Sequence, residues 1–488
     1  MSNTNEKEEK PKQEDDVPKT IPPKATPDRS KSTTGESQDD IASLCTLQME
    51  VTEYLERTES TNYHEMYPGV EMIEYDYRAE RRSLYATNIL ESIAHLIKGC
   101  LGAGIMGMHE AYMYGGLWAS LASTILIGLL VFSSMFTLVN SAQTMYNRLR
   151  VGRLSYPDLA EVAVATGPMT ACRPYSKVFR YLVELFLYIE FCGTCCIFQI
   201  MIAHTLKEVL EAISSRISDR DLSISLYVLI ITVPLIILCL IRSLKYLAPF
   251  SLMADIFCAI CVLTTMYYSI SVAPDLSERP AWKSIHGWFR FCGVCLYTVD
   301  GIGVTLPIEN NMRKPQYIIV VLQCGMAVVV ALVGIIGFFG YWAWGETCRS
   351  PITIHMPMET APIIMQFLLV ASLAVTFAVH FWVPFRVIWH YIGKRYKRKR
   401  DIWERIYRTL NVLLITGLSI AFPNLHNWMS FLGNFFLGFI VFIFPAIIET
   451  LVMWKDKRGI EWRSLKDVCF IVIGILLCCG AIYSYDNE

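Results

Sequence analysis

Two short stretches combine residues that weaken a helix with residues that carry charge. The first, "KGCLGAGIMGMHE" at 98–110, crowds Gly99, Gly102, Gly104 and Gly107 together and is flanked by Lys98, His109 and Glu110. The second, "YTVDGIGVTLPIEN" at 297–310, holds Asp300, Gly301, Gly303 and Pro307. Both lie inside apolar runs, where an unwound backbone needs partners and is tolerated only if it lines a cavity. A broken helix there offers two poles. Free N–H groups at the start of its second half attract an anion, and free carbonyls at the end of its first half attract a cation. A zwitterionic amino acid carries both charges. Gly102, Ala103, Gly104 and Ile105 are therefore the candidate hosts for a carboxylate. The carbonyls just before that break, at Gly99, and those of Tyr297, Thr298 and Val299 are the candidate hosts for an amine, beside Asp300 and Gly301.

Each of these residues also has a plainer reading. Glycines in membrane helices permit close packing. Asp300 is a functional candidate because a carboxylate at membrane depth is costly, yet it is equally suited to cap freed N–H groups. His95 precedes the first break by a turn and a half, and histidine is the residue type suited to loading and unloading protons under modest gradients. It is the candidate for proton coupling, with a hydrogen-bonded structural histidine as the alternative.

The elements that position these residues follow from composition. The chain has 488 residues, 53% hydrophobic and only 18% charged. That is the composition of a polytopic membrane protein. Apolar runs at 89–112, 117–139, 178–206, 224–241, 247–272, 285–308, 317–344, 361–391, 410–422, 429–454 and 468–483 read as eleven spans. The even-to-odd loops are basic, among them "NNMRKP", "YIGKRYKRKRDIWERIYR" and "WKDKRGIEWRSLK". The other loops are balanced or poor in Lys and Arg, so the positive-inside rule puts the N-terminus in the cytosol and the C-terminus outside or in a lumen. A glycine-interrupted first span matched five spans later points to an inverted five-plus-five repeat, with span 11 outside it.

Residues 1–84 form a polar tail, expected to be disordered and cytosolic, and 85–488 form the transmembrane domain. The tail has no apolar core of a signal peptide. "YHEM" and "YPGV" match a short sorting pattern, so cytosolic sorting or signalling partners are expected of it. The sixteen cysteines lie mostly in apolar runs without zinc-type spacing and read as small buried hydrophobes. No metal, cofactor or nucleic-acid partner is expected. No nucleophile or metal constellation suggests an enzyme, and no filter ring or arginine series suggests a channel.

At these residues the sequence resembles the proton-coupled amino acid transporter group of the amino acid/auxin permease family. "IAHLIKGCLGAGIMGMHEA", "YLAPFSLMADIF", "TVDGIGVTLPIENNMRKP" and "TFAVHFWVP" (376–384, opening on Thr376) carry the likeness, which runs from about Thr87 to the C-terminus. The resemblance implies an all-α, LeuT-like fold of about eleven helices with spans 1 and 6 broken. It implies symport of small neutral amino acids with protons at the plasma membrane or at lysosomal or endosomal membranes. It places the family's coupling histidine on His95 and adds Thr376 to the substrate candidates. This chain departs from the family pattern at His109, where relatives commonly have proline, at "GAG" for Gly-Thr-Gly, and at Val299-Asp300 for Phe-Glu. These departures and the tail motivate an alternative, an amino-acid sensor with little flux that signals through the tail.

Overall fold

The computed structural model describes residues 77–81, 86–214, 223–241, 244–272, 275, 279–355, 360–396, 399–454 and 460–486. The expected disorder and sorting motifs of the tail therefore lie outside the described residues, except for Tyr77–Glu80 and Arg81.

A helix occurs at each of the eleven expected spans. Span 1 is Ile89–Cys100 followed, across a break, by Ala103–Gly107 and Met108–Gly115. Spans 2 to 5 are Leu117–Leu149, Ser176–Ser214, Ile224–Cys239 and Leu244–Val272. Span 6 is Ile285–Val299 and Ile302–Asn311, and spans 7 to 9 are Ile318–Trp344, Thr360–Ile392 and Arg400–Ala421. Span 10 joins Leu425–Phe431, Leu432–Ile443 and Phe444–Met453, and span 11 is Ile460–Asp486. Seven of these are individually long and apolar enough to cross a membrane, and the bent span 1 makes an eighth.

Packing follows the expected repeat. Span 1 packs on span 6, span 2 on span 7, span 3 on span 8 and span 4 on span 9. Spans 1, 2, 6 and 7 form one bundle, and spans 3, 4, 5, 8 and 9 pack among themselves as a second group. Spans 10 and 11 pack on span 6 and on each other.

Three local features differ from the sequence reading. Span 9 begins at Arg400, ten residues earlier than its apolar run suggests. Within its largely exposed early turns Glu404 and Arg408 are buried: Arg408 pairs with Glu404 at 3.0 Å, donates to the Cys239 carbonyl and lies over the Phe385 ring. Paired charges thus enter a region that hydropathy assigns to water. Span 10 is π-helical over Leu432–Ile443. Pro445 lies just beyond, and its missing N–H and bulky ring fit a widened turn. A further helix, Tyr156–Ala165, lies between spans 2 and 3, opened by a Ser155–Asp158 capping box and by Pro157. It is only ten residues long, so span-length hydropathy overlooks it.

The segment before span 1 is tied to the bundle on the basic-loop side. Arg81 is 6% exposed. It pairs with the fully buried Glu309 at 2.9 Å, donates to Asn310 and to the Gly152 carbonyl, and stacks on the rings of Tyr77 and Tyr146. Burial works against its charge, but the Glu309 carboxylate more than offsets this and its pKa is raised. Backbone bonds between Thr87 and Asn311 and between Arg313 and Thr87 add a second tie to the end of span 6. Removing one member of a buried pair strands the other, at a cost of about 3–5 kcal/mol. Arg81→Ala is therefore expected to lower the thermal unfolding midpoint of the purified protein by several degrees. An unchanged midpoint would show that the tie carries no stability.

Candidate functional site

The two breaks meet at the centre of the bundle. In span 1 the helix stops at Leu101, Gly102 is extended (φ −93°, ψ −150°), and the chain restarts after a 49° bend. In span 6 Asp300 is extended (φ −64°, ψ 136°) and Gly301 leads into the second half-helix. Asp300 Oδ1 accepts the Ile302 N–H at 3.1 Å. Its carboxylate therefore caps the positive pole of the second half-helix and at the same time faces the cavity between the breaks.

The glycines divide by what stands opposite them. A Cβ on Gly104 would lie 2.4 Å from Thr298 Oγ1, and one on Gly301 would lie 2.4 Å from Cys100 Sγ. One on Gly99 would lie 2.8 Å from a Val304 methyl. These three let the broken spans touch, which is the packing reading. Gly102 has no atom within 4 Å of where its Cβ would stand, so it borders open space.

That space is a cavity of about 50 Å³. Span 1 supplies Gly99, Cys100, Gly102 and Gly104; span 6 supplies Tyr297, Asp300, Gly301, Gly303 and Val304. Span 3 adds Leu187, Glu190, Phe191 and Thr194, span 8 adds His380, and span 10 adds Leu437 and Ile440. A volume of this order holds a few waters, which is the size range of the smallest amino acids and far below that of an aromatic one. A larger cavity of about 730 Å³ lies between spans 2 and 7, but its walls are almost wholly apolar and open outward.

Of the residues singled out in the sequence, Gly99, Gly102, Gly104, Tyr297, Asp300 and Gly301 line the central cavity. Ala103, Ile105, Thr298 and Val299 are buried beside it without lining it. The Thr298 hydroxyl donates to the Val294 carbonyl at 2.7 Å. Thr376 is also set back, its hydroxyl donating to the Ser372 carbonyl, while His380, one turn on, reaches the cavity. The His380 Nδ1 lies 3.0 Å from the Thr376 carbonyl. His95 is exposed on the face of the first half-helix that also carries Glu91, Ala94 and Lys98, away from the cavity. Sequence reasoning missed Glu190 and His380. The signal for Glu190 was present, since a glutamate within the apolar run of span 3 meets the same criterion that picked out Asp300.

On the side opposite the basic loops a seal of packed side chains closes span 1 against the 7–8 loop. His109 is fully buried, and its Nε2 lies 3.0 Å from the Arg349 carbonyl. Glu110 accepts the Ser350 N–H at 2.8 Å. The His109 ring meets His355 edge-on at 5.4 Å, and His355 stacks on Trp344 at 4.7 Å. Burial and the nearby Arg349 push the His355 pKa down to about 4, so this part of the seal is neutral except in strong acid. The Arg349 N–H donates to its Nε2, which accordingly carries no proton. His109 thus holds the 7–8 loop against span 1.

The model of the family described as "Transmembrane amino acid transporter protein" matches residues 86–485. The chain is 30% identical over 410 residues to the Drosophila melanogaster "Proton-coupled amino acid transporter-like protein pathetic", covering 82% of this chain and 85% of that one. It is 24% identical over 403 residues to the Arabidopsis thaliana "Amino acid transporter AVT3A", covering 82% and 89%. Among solved structures, the inward-facing conformation of Mhp1, a nucleobase-cation-symport-1 family transporter, superposes with a TM-score of 0.54. The superposition has 10% identity and covers 83% of this chain and 92% of that one, a likeness of fold.

The glycine contacts separate packing from binding. Gly104→Ala forces a methyl against Thr298 and is expected to destabilise by about 1–3 kcal/mol. Gly102→Ala is expected to leave the unfolding midpoint unchanged, since its methyl would meet open space. Equal effects of the two substitutions on stability would contradict this division.

Proposed function

The chain belongs to the transmembrane amino acid transporter family, and from that premise we propose that it carries small neutral amino acids together with protons by alternating access. The carrying observation is the central cavity, where two broken spans bring a carboxylate and helix poles to one small space. The pole of span 6 is occupied by the protein's own Asp300 carboxylate. A substrate carboxylate is therefore directed to the other pole, the first-turn N–H groups of Ala103, Gly104 and Ile105, which lack intrahelical acceptors. The substrate ammonium is directed to Asp300 and the carbonyls that end the first half of span 6. The remaining walls, Leu187, Phe191, Val304, Leu437 and Ile440, suit a short apolar side chain.

Alternating access is the rocking of spans 1, 2, 6 and 7 against spans 3, 4, 5, 8 and 9. The seal at His109 and Glu110 is the gate on one side, and the first half of span 1 is the approach on the other. His95 and Lys98 stand on that approach, where His95 relays protons without lining the cavity. The basic loops and the N-terminus face the cytosol, in a plasma, lysosomal or endosomal membrane. Proton coupling is further supported by the name of the fly relative.

The test is uptake of a labelled substrate panel into vesicles holding the full-length protein, with the exterior neutral or acid. Alanine and glycine are expected to accumulate faster with acid outside, and tryptophan to be excluded. Specific binding without uptake would refute transport and leave the sensor. Asp300→Asn keeps an oxygen to cap Ile302 but loses the charge. Loss of a charged hydrogen bond is worth about 1.5–3 kcal/mol, so alanine affinity should fall by roughly ten- to a hundredfold. Normal affinity in this variant would assign Asp300 to capping alone.

A further inference from the structure

The central cavity is lined by two carboxyl groups, where one substrate ammonium can face only one of them. Asp300 enters it from the span 6 break and Glu190 from span 3. Glu190 is 9% exposed, and its Oε1 accepts the Thr194 hydroxyl at 3.0 Å. Its Oε2 has no hydrogen-bond partner among the described residues. The lining includes neither lysine nor arginine. The titratable groups that face the pair are Cys100 from span 1, Tyr297 from span 6 and His380 from span 8. Tyr156, from the helix between spans 2 and 3, and Cys195, on span 3 itself, stand behind them. None of these carries a fixed positive charge, and the His380 Nδ1 is already engaged with the Thr376 carbonyl.

We propose that Glu190 is the residue that carries the coupled proton. Two carboxylates that share one buried site do not both stay ionised. When the cavity closes on substrate and sheds its water, an uncompensated carboxylate is expensive. The substrate brings no net charge: its ammonium faces Asp300, and its own carboxylate is held by the N–H groups that open the second half of span 1. No cation is left for Glu190, which closes neutral by taking up a proton. In the empty cavity water solvates the carboxylates instead. The loaded form that crosses therefore contains one amino acid and one proton, and Glu190 releases its proton when the cavity reopens to water. This assignment rests on the proton-coupled reading above and places the proton inside the cavity, beyond the approach where His95 stands.

The test compares wild type with Glu190→Gln in vesicles holding the full-length protein, because glutamine has the shape of a protonated glutamate. Alanine exchange at equilibrium and acid-driven accumulation are both measured. The protonated fraction of a carboxyl falls about tenfold per pH unit above its pKa. Wild-type exchange is therefore expected to fall as pH rises from about 5.5 to about 9.5, approaching about tenfold per unit at the alkaline end. Glu190→Gln should exchange at a rate that varies by less than about twofold over the same range, and should not accumulate alanine in response to acid. Acid-driven accumulation retained in Glu190→Gln would overturn the assignment. So would a pH profile that flattens in His380→Gln but not in Glu190→Gln. A wild type that accumulates alanine with no response to acid, or only with sodium, would instead overturn the proton-coupled reading itself.

A measurement on the unmodified protein guards against a variant that fails to fold. Dicyclohexylcarbodiimide reacts with protonated carboxyls in apolar surroundings, and mass spectrometry locates the adduct. Labelling is expected at Glu190, to weaken as pH rises and to slow when alanine is present. Label at another carboxyl of the cavity with none at Glu190 under acid conditions would also overturn the proposal.

Discussion

A backbone in hydrocarbon cannot leave its N–H and C=O groups unpaired, and this chain leaves two helices open at their centres. The rest of the fold answers to that constraint. The breaks are placed against each other, so that each shields the other from lipid. Gly104 against Thr298 and Gly301 against Cys100 make the approach close enough. Asp300 returns an oxygen to Ile302 and so satisfies one freed donor from within. What remains open is a cavity with polar edges and apolar walls.

Charge is handled differently at the ends and at the centre. At the basic-loop end, Arg81 and Glu309 neutralise each other and tie the segment before span 1 to span 6. In span 9, Arg408 and Glu404 do the same within one helix. At the opposite end the seal uses imidazoles, a backbone carbonyl and a carboxylate that accepts a backbone N–H. In the central cavity two carboxyl groups stand without a lysine or arginine among the lining residues. A structural ion pair brings its own counter-charge. The cavity leaves that place to what it binds.

Much of this was legible in the sequence because the signals are one-dimensional. Apolar runs separated by basic and non-basic loops predict eleven spans, and a helix lies at each. Glycines and a carboxylate inside two of those runs, five spans apart, predict the breaks. Six of the proposed site residues, Gly99, Gly102, Gly104, Tyr297, Asp300 and Gly301, line one cavity. Thr376 and Val299 illustrate the limit. Each lies in the right stretch of its span but on a face turned to a neighbour, and a stretch of sequence does not specify rotation about the helix axis.

The sequence by itself determined the membrane class, the span order and the location of the two weak points, since hydropathy and glycine content act locally along the chain. Only the tertiary structure decided which side chains meet. Glu190, His380, Leu437 and Ile440 come from three spans far apart in sequence, and packing alone brings them to the breaks. It also turned His95 outward and made His109 a clasp on the 7–8 loop. A residue's type states what chemistry it can do. Whether that chemistry faces a cavity, a neighbouring helix or solvent depends on the rotation and crossing of helices, which are set by contacts between residues hundreds of positions apart.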